Sequence, residues 1–333
     1  MFNFVNRIIR RENEGDKSNF DFLDNITFGE KQIFQGICVY PVFFKDGYDS
    51  FITLKSAIEN NYIKISEVNQ GGSVPELRII NFGDVPVLLL DGEELAGAKQ
   101  NRVLNTSILV YERSNIIIPV SCTEEGRWNN DSKYFYDSDE IMEWKIRASK
   151  TGSVSDSLQF DNQYKSDQGE VWDGIRNFSH TENVHSNTGA MKAVYNKEKS
   201  NLNTIIKHFP NQDKQKGFLL INNNTVAGLE IVGSSSAYSQ YHDKLLRSYL
   251  IGSDIQLKDR GNGNHNIIID EFFKEIKSCS VNFYQSVGYG WDLRFKNASM
   301  VGSGLVHDKE IVHIVIFNKN DRNRHYRRHG GHY

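Results

Sequence analysis

Residues 77–120 read LRIINFGDVPVLLLDGEELAGAKQNRVLNTSILVYERSNIIIPV. Apolar runs at 77–81, 85–90, 102–110 and 116–120 are rich in Ile, Val and Leu and have strand length. Turn signals separate them: Gly83-Asp84, Asp91-Gly92 and a polar stretch over 112–115. Several short strands punctuated in this way predict a sandwich or open barrel. Upstream, 35–40 is a β-forming run that ends at Pro41, and 54–60 reads as a short helix stopped by Asn60-Asn61. At 63–68 apolar and polar residues alternate with the period of a half-buried strand.

Downstream the pattern becomes mixed. Residues 139–150 place Ile141, Trp144, Ile146 and Ala148 among charges and read as a helix, whereas the serine-rich 151–157 reads as a loop. Helices are expected over 167–178, over 188–208 with Thr188 as N-cap and Pro210 just beyond, over 238–251 and over 268–277. Asn222-Asn223-Asn224 between two apolar runs, 217–221 and 225–232, signals a hairpin. Strands are expected again at 280–286, 291–295, 300–306 and 310–317. The fold class is therefore α+β: a β-rich, sandwich-like N-terminal half followed by a mixed helix and antiparallel-sheet C-terminal half. The expected organisation is an arm over 1–24, a β-rich domain over 25–138, an α+β domain over 139–318 and a basic disordered tail over 319–333.

With 333 residues, 38% hydrophobic and 24% charged, the chain can bury a sizeable core. Its formal charge of −3 gives the body no global attraction to nucleic acid, which makes nucleic acid an unlikely partner. Cys38, Cys122 and Cys279 are far apart and form no C-x-x-C pair, a pattern that fits a reducing cytoplasm and neither a disulfide framework nor a structural zinc site. No apolar run is long enough to span a bilayer. The start combines Phe2, Phe4, Val5, Ile8 and Ile9 with Arg7, Arg10 and Arg11, which suits a membrane-surface helix, a docking peptide or an arm packed on its own or a neighbouring subunit. The tail carries Arg322, Arg324, Arg327 and Arg328 among histidines. It is read as solvated, with phosphate contact as the alternative.

The densest charged constellation is Asp91, Glu93, Glu94, Lys99, Gln100 and Arg102, followed by Glu124, Glu125, Arg127 and Trp128. Brought together, Arg102 and Arg127 offer planar forks for phosphate or carboxylate, and Lys99 and Gln100 add donors. Glu93, Glu94 or Glu125 is then the candidate general acid or base, and Trp128 can stack on a base or sugar. The competing reading makes the same charges an ion-pair network that locks a corner of the fold or an oligomer interface. Lys244 and Arg247 on a predicted helix can add an anion site from the second half, or form a solvated helix face with Leu245, Leu246 and Tyr249 buried. Cys122 has no histidine near it in sequence and reads as a small core residue, His313 as a satisfied core histidine, and His242 as a capping or surface group. Residues 259–264 lack the spacing and closing glutamate of a calcium loop, and no other metal site is expected. P-loop, dinucleotide, zincin and nucleophile-elbow motifs are absent from the sequence.

Several ordered blocks resemble one family. They are Leu89-Leu90-Asp91-Gly92-Glu93-Glu94-Leu95, Gly97-Ala98-Lys99-Gln100-Asn101-Arg102, Ile118-Pro119-Val120-Ser121-Cys122 and Gly126-Arg127-Trp128. Later blocks include Asp167-Gln168-Gly169-Glu170-Val171-Trp172, Lys244-Leu245-Leu246-Arg247-Ser248-Tyr249 and Gly302-Ser303-Gly304-Leu305. The family is the ADP-ribosylglycohydrolase- and rhodanese-phosphatase-associated protein domain, and the likeness runs from Ile26 to Phe317. Its name records gene neighbours and implies a link to ADP-ribose or NAD metabolism; it brings no catalytic residues and no assigned cofactor. Two functions follow as expectations. One is binding or processing of a nucleotide- or ADP-ribose-like small molecule at the polar cluster. The other is a non-enzymatic assembly protein, a homo-oligomer or partner-docking chain that works through its terminal arms.

Overall fold

The structure, a computed structural model, describes residues 20–45, 47–69, 75–127, 132–253 and 264–319. The amphipathic start, most of the basic tail, Trp128 and most of the 259–264 loop lie outside the described residues. In chain order the elements begin with α1 (Asp21–Asp24), β1 (Ile26–Phe28), β2 (Gln32–Phe34), β3 (Ile37–Phe44), β4 (Ile52–Thr53) and α2 (Leu54–Glu59). Then come β5 (Ile63–Glu67), β6 (Glu76–Asn81), β7 (Val87–Leu89), β8 (Glu93–Gly97), β9 (Arg102–Leu104), β10 (Ile108–Val110), β11 (Ser114–Cys122) and β12 (Phe135–Ile141). Three helices follow, α3 (Trp144–Asp161), α4 (Gln168–Thr181) and α5 (Lys192–Ile206), and then the hairpin β13 (Gly217–Asn222) and β14 (Thr225–Val232). The chain continues through α6 (Ser235–Leu250), α7 (His265–Lys277), β15 (Ser280–Gln285), β16 (Trp291–Lys296), β17 (Met300–His307) and β18 (Glu310–Asn318).

Six of these strands close a barrel in the order β11-β6-β5-β12-β8-β9. Alternation explains it. Ile63, Ile65, Leu77, Ile79, Leu95, Leu104, Ile118, Val120 and Phe135 share one apolar core, while their sequence neighbours Lys64, Arg78, Ile117, Tyr134 and Tyr136 fall on the other face. The expected sandwich or open barrel is thus a closed one. A nine-stranded antiparallel sheet, β1-β3-β13-β14-β18-β17-β16-β15 with β2 beside β3, forms the second unit. Apolar side chains of α3 to α6 pack on one of its faces and those of α1 and α7 on the other. The α+β class holds. Strand β3 pairs with β13, Tyr40 opposite Leu219, so the stretch before residue 138 supplies strands to both units, and β12 runs through 138/139.

Three local expectations are corrected. Residues 151–157, read as a loop, lie inside α3, whose buried face carries Arg147, Lys150, Thr151 and Ser155 and so gives no apolar periodicity. The run 102–110 is two strands, because Asn105, Thr106 and Ser107 leave the barrel to bond elsewhere. Thr188 is not the N-cap of α5; that helix begins at Lys192, and the Thr188 hydroxyl donates to Glu124 Oε1 at 2.8 Å.

Candidate functional site

The turn after β7 delivers Asp91 to the inner face of α3. Gly92 takes φ +83°, and the Asp91 carboxylate meets two cations from α3: Arg147 Nε at 3.1 Å and, in a short contact, Lys150 Nζ. Lys150 also donates to Leu104 O at 3.0 Å and Asn105 O at 3.2 Å. From there the network crosses into the nine-stranded sheet. Arg147 Nη1 lies 2.5 Å from Glu230 Oε1 on β14, and Glu230 accepts from Tyr249 OH at 3.0 Å. His313 on β18 bridges Glu230 Oε2 at 3.2 Å and Ser107 Oγ at 2.8 Å, and that hydroxyl accepts the Asp91 amide at 2.9 Å. Beside it, Thr106 donates to Asp292 at 2.5 Å, and Arg294 Nε lies 2.6 Å from the same carboxylate.

Asp91, Arg147, Lys150, Glu230, Asp292, Arg294 and His313 are all buried, with three carboxylates facing three side-chain cations and the imidazole. Burial alone would raise the Asp91 carboxyl, but Lys150 and Arg147 outweigh it and hold it below its ordinary range. Burial lowers Lys150 to about 8 against the pull of Asp91. Such a network ties barrel, helix and sheet together, and breaking any single charge in it leaves another buried and uncompensated. His313 is the satisfied core histidine expected.

The residues expected to do chemistry separate into three groups. Glu93 is buried, with Lys244 Nζ at 2.7 Å and the Leu90 amide donating at 2.7 Å; Lys244 also reaches Asp137 at 2.6 Å. Burial works against the Lys244 ammonium, yet Glu93 and Asp137 hold it protonated above its usual range. Arg102 and Gln100 form the second group, with Arg102 turned into the barrel, where its Nη1 donates to Gln100 Oε1 at 2.9 Å and Nη2 lies 3.9 Å from Glu67. Cys122 Sγ lies beside them, 3.2 Å from Gln100 Oε1, and burial pushes its thiol up to about 11.

The third group lies on the outer side of β8 and around the neighbouring turns. Glu94 accepts from Thr123 at 2.7 Å, and burial raises its carboxyl despite the Thr123 and Ser138 hydroxyls. Arg127 donates to Glu124 at 2.8 Å, to Ala98 O at 2.8 Å and to Asn101 at 3.1 Å, so it pins the 97–101 turn. Glu125 is exposed and pairs with Arg176 of α4 at 2.6 Å, and Lys99 is half-buried on the turn. Arg247 contacts Asp139 and Glu140 across the barrel edge, at 3.4 and 3.5 Å. Glu140 is pushed up to about 7 by burial, with Arg247 opposing and Asp139 and Glu94 reinforcing. His242, expected as a capping or surface group, is buried between Tyr238 OH at 2.8 Å and the backbone carbonyl of Phe209 at 2.7 Å.

Sequence reasoning missed the partners of Asp91. Arg147 and Lys150 look like ordinary helix charges, Glu230 is a lone charge in the apolar strand β14, and Asp292 and Arg294 alternate with apolar residues in β16; a buried position held by such a charge is the signal that was there to be used. An open groove of about 510 Å³ also went unforeseen. It runs along α3 and is lined by Ser149, Ser153 and Asp156, by Lys165 before α4, and by Lys296 and Lys319 from the sheet. Asp167 and Glu170 at the start of α4 border it, and α4 carries Arg176, the partner of Glu125, two turns further on. Among the described residues no cluster of three or more His, Cys, Asp or Glu is placed to hold a metal ion, and no helix is long and apolar enough to cross a membrane.

Compared with known families, residues 25–317 match the model described as the ARG and Rhodanese-Phosphatase-superfamily-associated Protein domain, ARPP-1. The chain belongs to the ARPP-1 family. The match takes in the barrel, the nine-stranded sheet and every member of the buried network, so the two units together make up the ARPP-1 domain. No curated protein and no solved structure matches the chain.

Proposed function

We propose that this ARPP-1 domain binds a nucleotide- or ADP-ribose-like small molecule, and that the groove along α3 is where it does so. The observation that carries the reading is the groove's size and mixed lining. A volume of about 510 Å³ lies within the ordinary range for small-molecule sites. Lys165 and Lys296, the latter ion-paired with Asp156, suit phosphate oxygens, while Asp167 and Glu170 suit ribose hydroxyls. The family's association, by name, with ADP-ribosylglycohydrolases supports the same ligand class. In this reading Asp91, Arg147 and Lys150 stiffen α3 from behind, and Glu93, Glu94, Gln100 and Arg102 hold the barrel that buttresses it. Lys99, Glu125 and Arg127 shape the rim near α4.

Thermal melting of the purified chain with NAD, ADP-ribose, cyclic nucleotides and inorganic phosphate tests this, since a native-state ligand raises the melting temperature by mass action. A rise for one nucleotide class that disappears in Lys165→Ala/Lys296→Ala supports the groove. A rise that survives there and disappears in Arg127→Ala moves the site to the rim. No rise with any ligand refutes the proposal.

A further inference from the structure

Among the described residues nothing covers the outer face of the barrel where β6, β5 and β12 lie side by side. In the barrel register Ile63 faces Asn81 and Ile65 faces both Ile79 and Phe135, so the intervening outward positions form a grid. Tyr62 lies beside Phe82, Lys64 between Ile80 and Tyr136, and Ser66 between Arg78 and Tyr134. Four of these are aromatic and exposed: Phe82 at 52%, Tyr136 at 44%, Tyr62 at 41% and Tyr134 at 38%. Rings with this much of their surface in water are unusual for an aromatic and call for a partner.

The cations on this face are interleaved with the rings. Lys64 Nζ sits 5.5 Å from the Phe82 ring centre and 5.6 Å from that of Tyr134; Lys133 lies 5.3 Å from Tyr134, and Lys192 lies 5.6 Å from Tyr136. Among the described residues Lys64 and Lys133 have no carboxylate partner, and Arg78 donates to the neutral Asn115. Glu76, at the end of β6, is the carboxylate that strand alternation sets on the same face. Lysine is depleted from protein–protein interface cores, so this mixture is a poor seat for a second folded protein. Flat apolar rings with ammonium groups between them instead match a chain of stackable bases joined by phosphates.

We propose that this barrel face binds single-stranded nucleic acid, with Phe82, Tyr62, Tyr134 and Tyr136 as the stacking platform and Lys64, Lys133, Lys192 and Arg78 as phosphate contacts. The three strands span about 10 Å across, room for two or three bases. The balanced net charge of the whole chain hides this one-sided face. The proposal does not depend on the groove along α3.

Fluorescence anisotropy of the full chain with a short labelled oligouridylate, its deoxythymidylate counterpart and a duplex of equal length provides the test. The expected result is saturable binding of a single strand, weaker binding of the duplex, and loss of affinity as salt rises from about 50 to 200 mM. Phe82→Ala/Tyr134→Ala should weaken binding by roughly tenfold or more. Lys64→Glu should also weaken it, and this exposed side chain, which makes no hydrogen bond among the described residues, settles the matter if the aromatic variant melts early. Lys165→Ala/Lys296→Ala should bind the oligonucleotide unchanged. Absence of binding, or binding that the face variants leave intact because the basic tail carries it, overturns the proposal. So does a face variant whose effect is to change the mass of the free protein in light scattering, which would mark a protein interface.

Discussion

Lys244 Nζ lies 2.7 Å from Glu93 Oε1, joining helix α6 to the start of barrel strand β8 across 151 residues of sequence. The carboxylate that a dense acidic motif offers as a general base is therefore held by an ammonium in a buried seam. Lys244→Met should leave Glu93 buried opposite Asp137 and lower stability by about 3–5 kcal/mol. Urea unfolding monitored by tryptophan fluorescence reads this directly. Glu93→Gln combined with Lys244→Met should recover a large part of the loss; equal instability in the double variant would show that packing, not charge, is at stake.

Asp91→Asn is nearly isosteric but removes the anion shared by Arg147 and Lys150. A destabilisation on the order of 3 kcal/mol is expected, with the oligomeric mass unchanged. A loss below about 1 kcal/mol would mean that water reaches these cations.

Gly92 has φ +83°, and a Cβ there would lie 2.7 Å from Arg147 Cδ and 2.8 Å from Nε. Arg147 is pinned by Asp91 and Glu230 and cannot step aside. Gly92→Ala should therefore cost about 2 kcal/mol or more, seen as a lower thermal midpoint.

Glu140 carries a pH dependence whose sign can be worked out. Burial raises its folded pKa from the ordinary 4.5 to about 7, so between those values the native state binds more protons than the unfolded chain. Its contribution to stability falls as pH rises through that window, and the penalty is complete above it. Glu140→Gln should melt higher than the parent at about pH 8, by on the order of 1–3 kcal/mol, and converge with it near pH 4. A constant offset across the range would refute the assignment.

Cys38, Cys122 and Cys279 are buried, and burial pushes their thiols up to about 11, 11 and 12. A thiol reagent should modify the native chain far more slowly than the urea-unfolded chain, with no fast-reacting site at Cys122. Rapid labelling at Cys122 would instead mark it as a reactive nucleophile.

Much of the fold could be read from local pattern. The strand at 63–67 and the hairpin around Asn223 are where alternation and turn chemistry place them, because those signals are written in adjacent residues. Helix α3 was half lost, since its buried face is built from Arg147, Lys150 and Thr151, which look solvated until Asp91 and Glu230 are brought to them. Strand β8 was hidden for the same reason: Glu93 and Glu94 lie within a fully buried strand that reads as a polar loop.

What the sequence determined by itself is the α+β class, the family, and the identity of a motif dense in charge from Asp91 to Arg127. Composition, periodicity and ordered motifs are properties of the chain in one dimension. Whether a charge faces water or another charge is not, because it depends on which residues far apart in sequence close a barrel and dock it on a sheet. Only the tertiary structure decided that Glu93 meets Lys244, that Asp91 meets Lys150, and that, among the described residues, a groove opens along α3 and four aromatic rings stand exposed on one face of the barrel. The energy of a buried ion is set by partners a few ångströms away, and those partners are chosen by the fold.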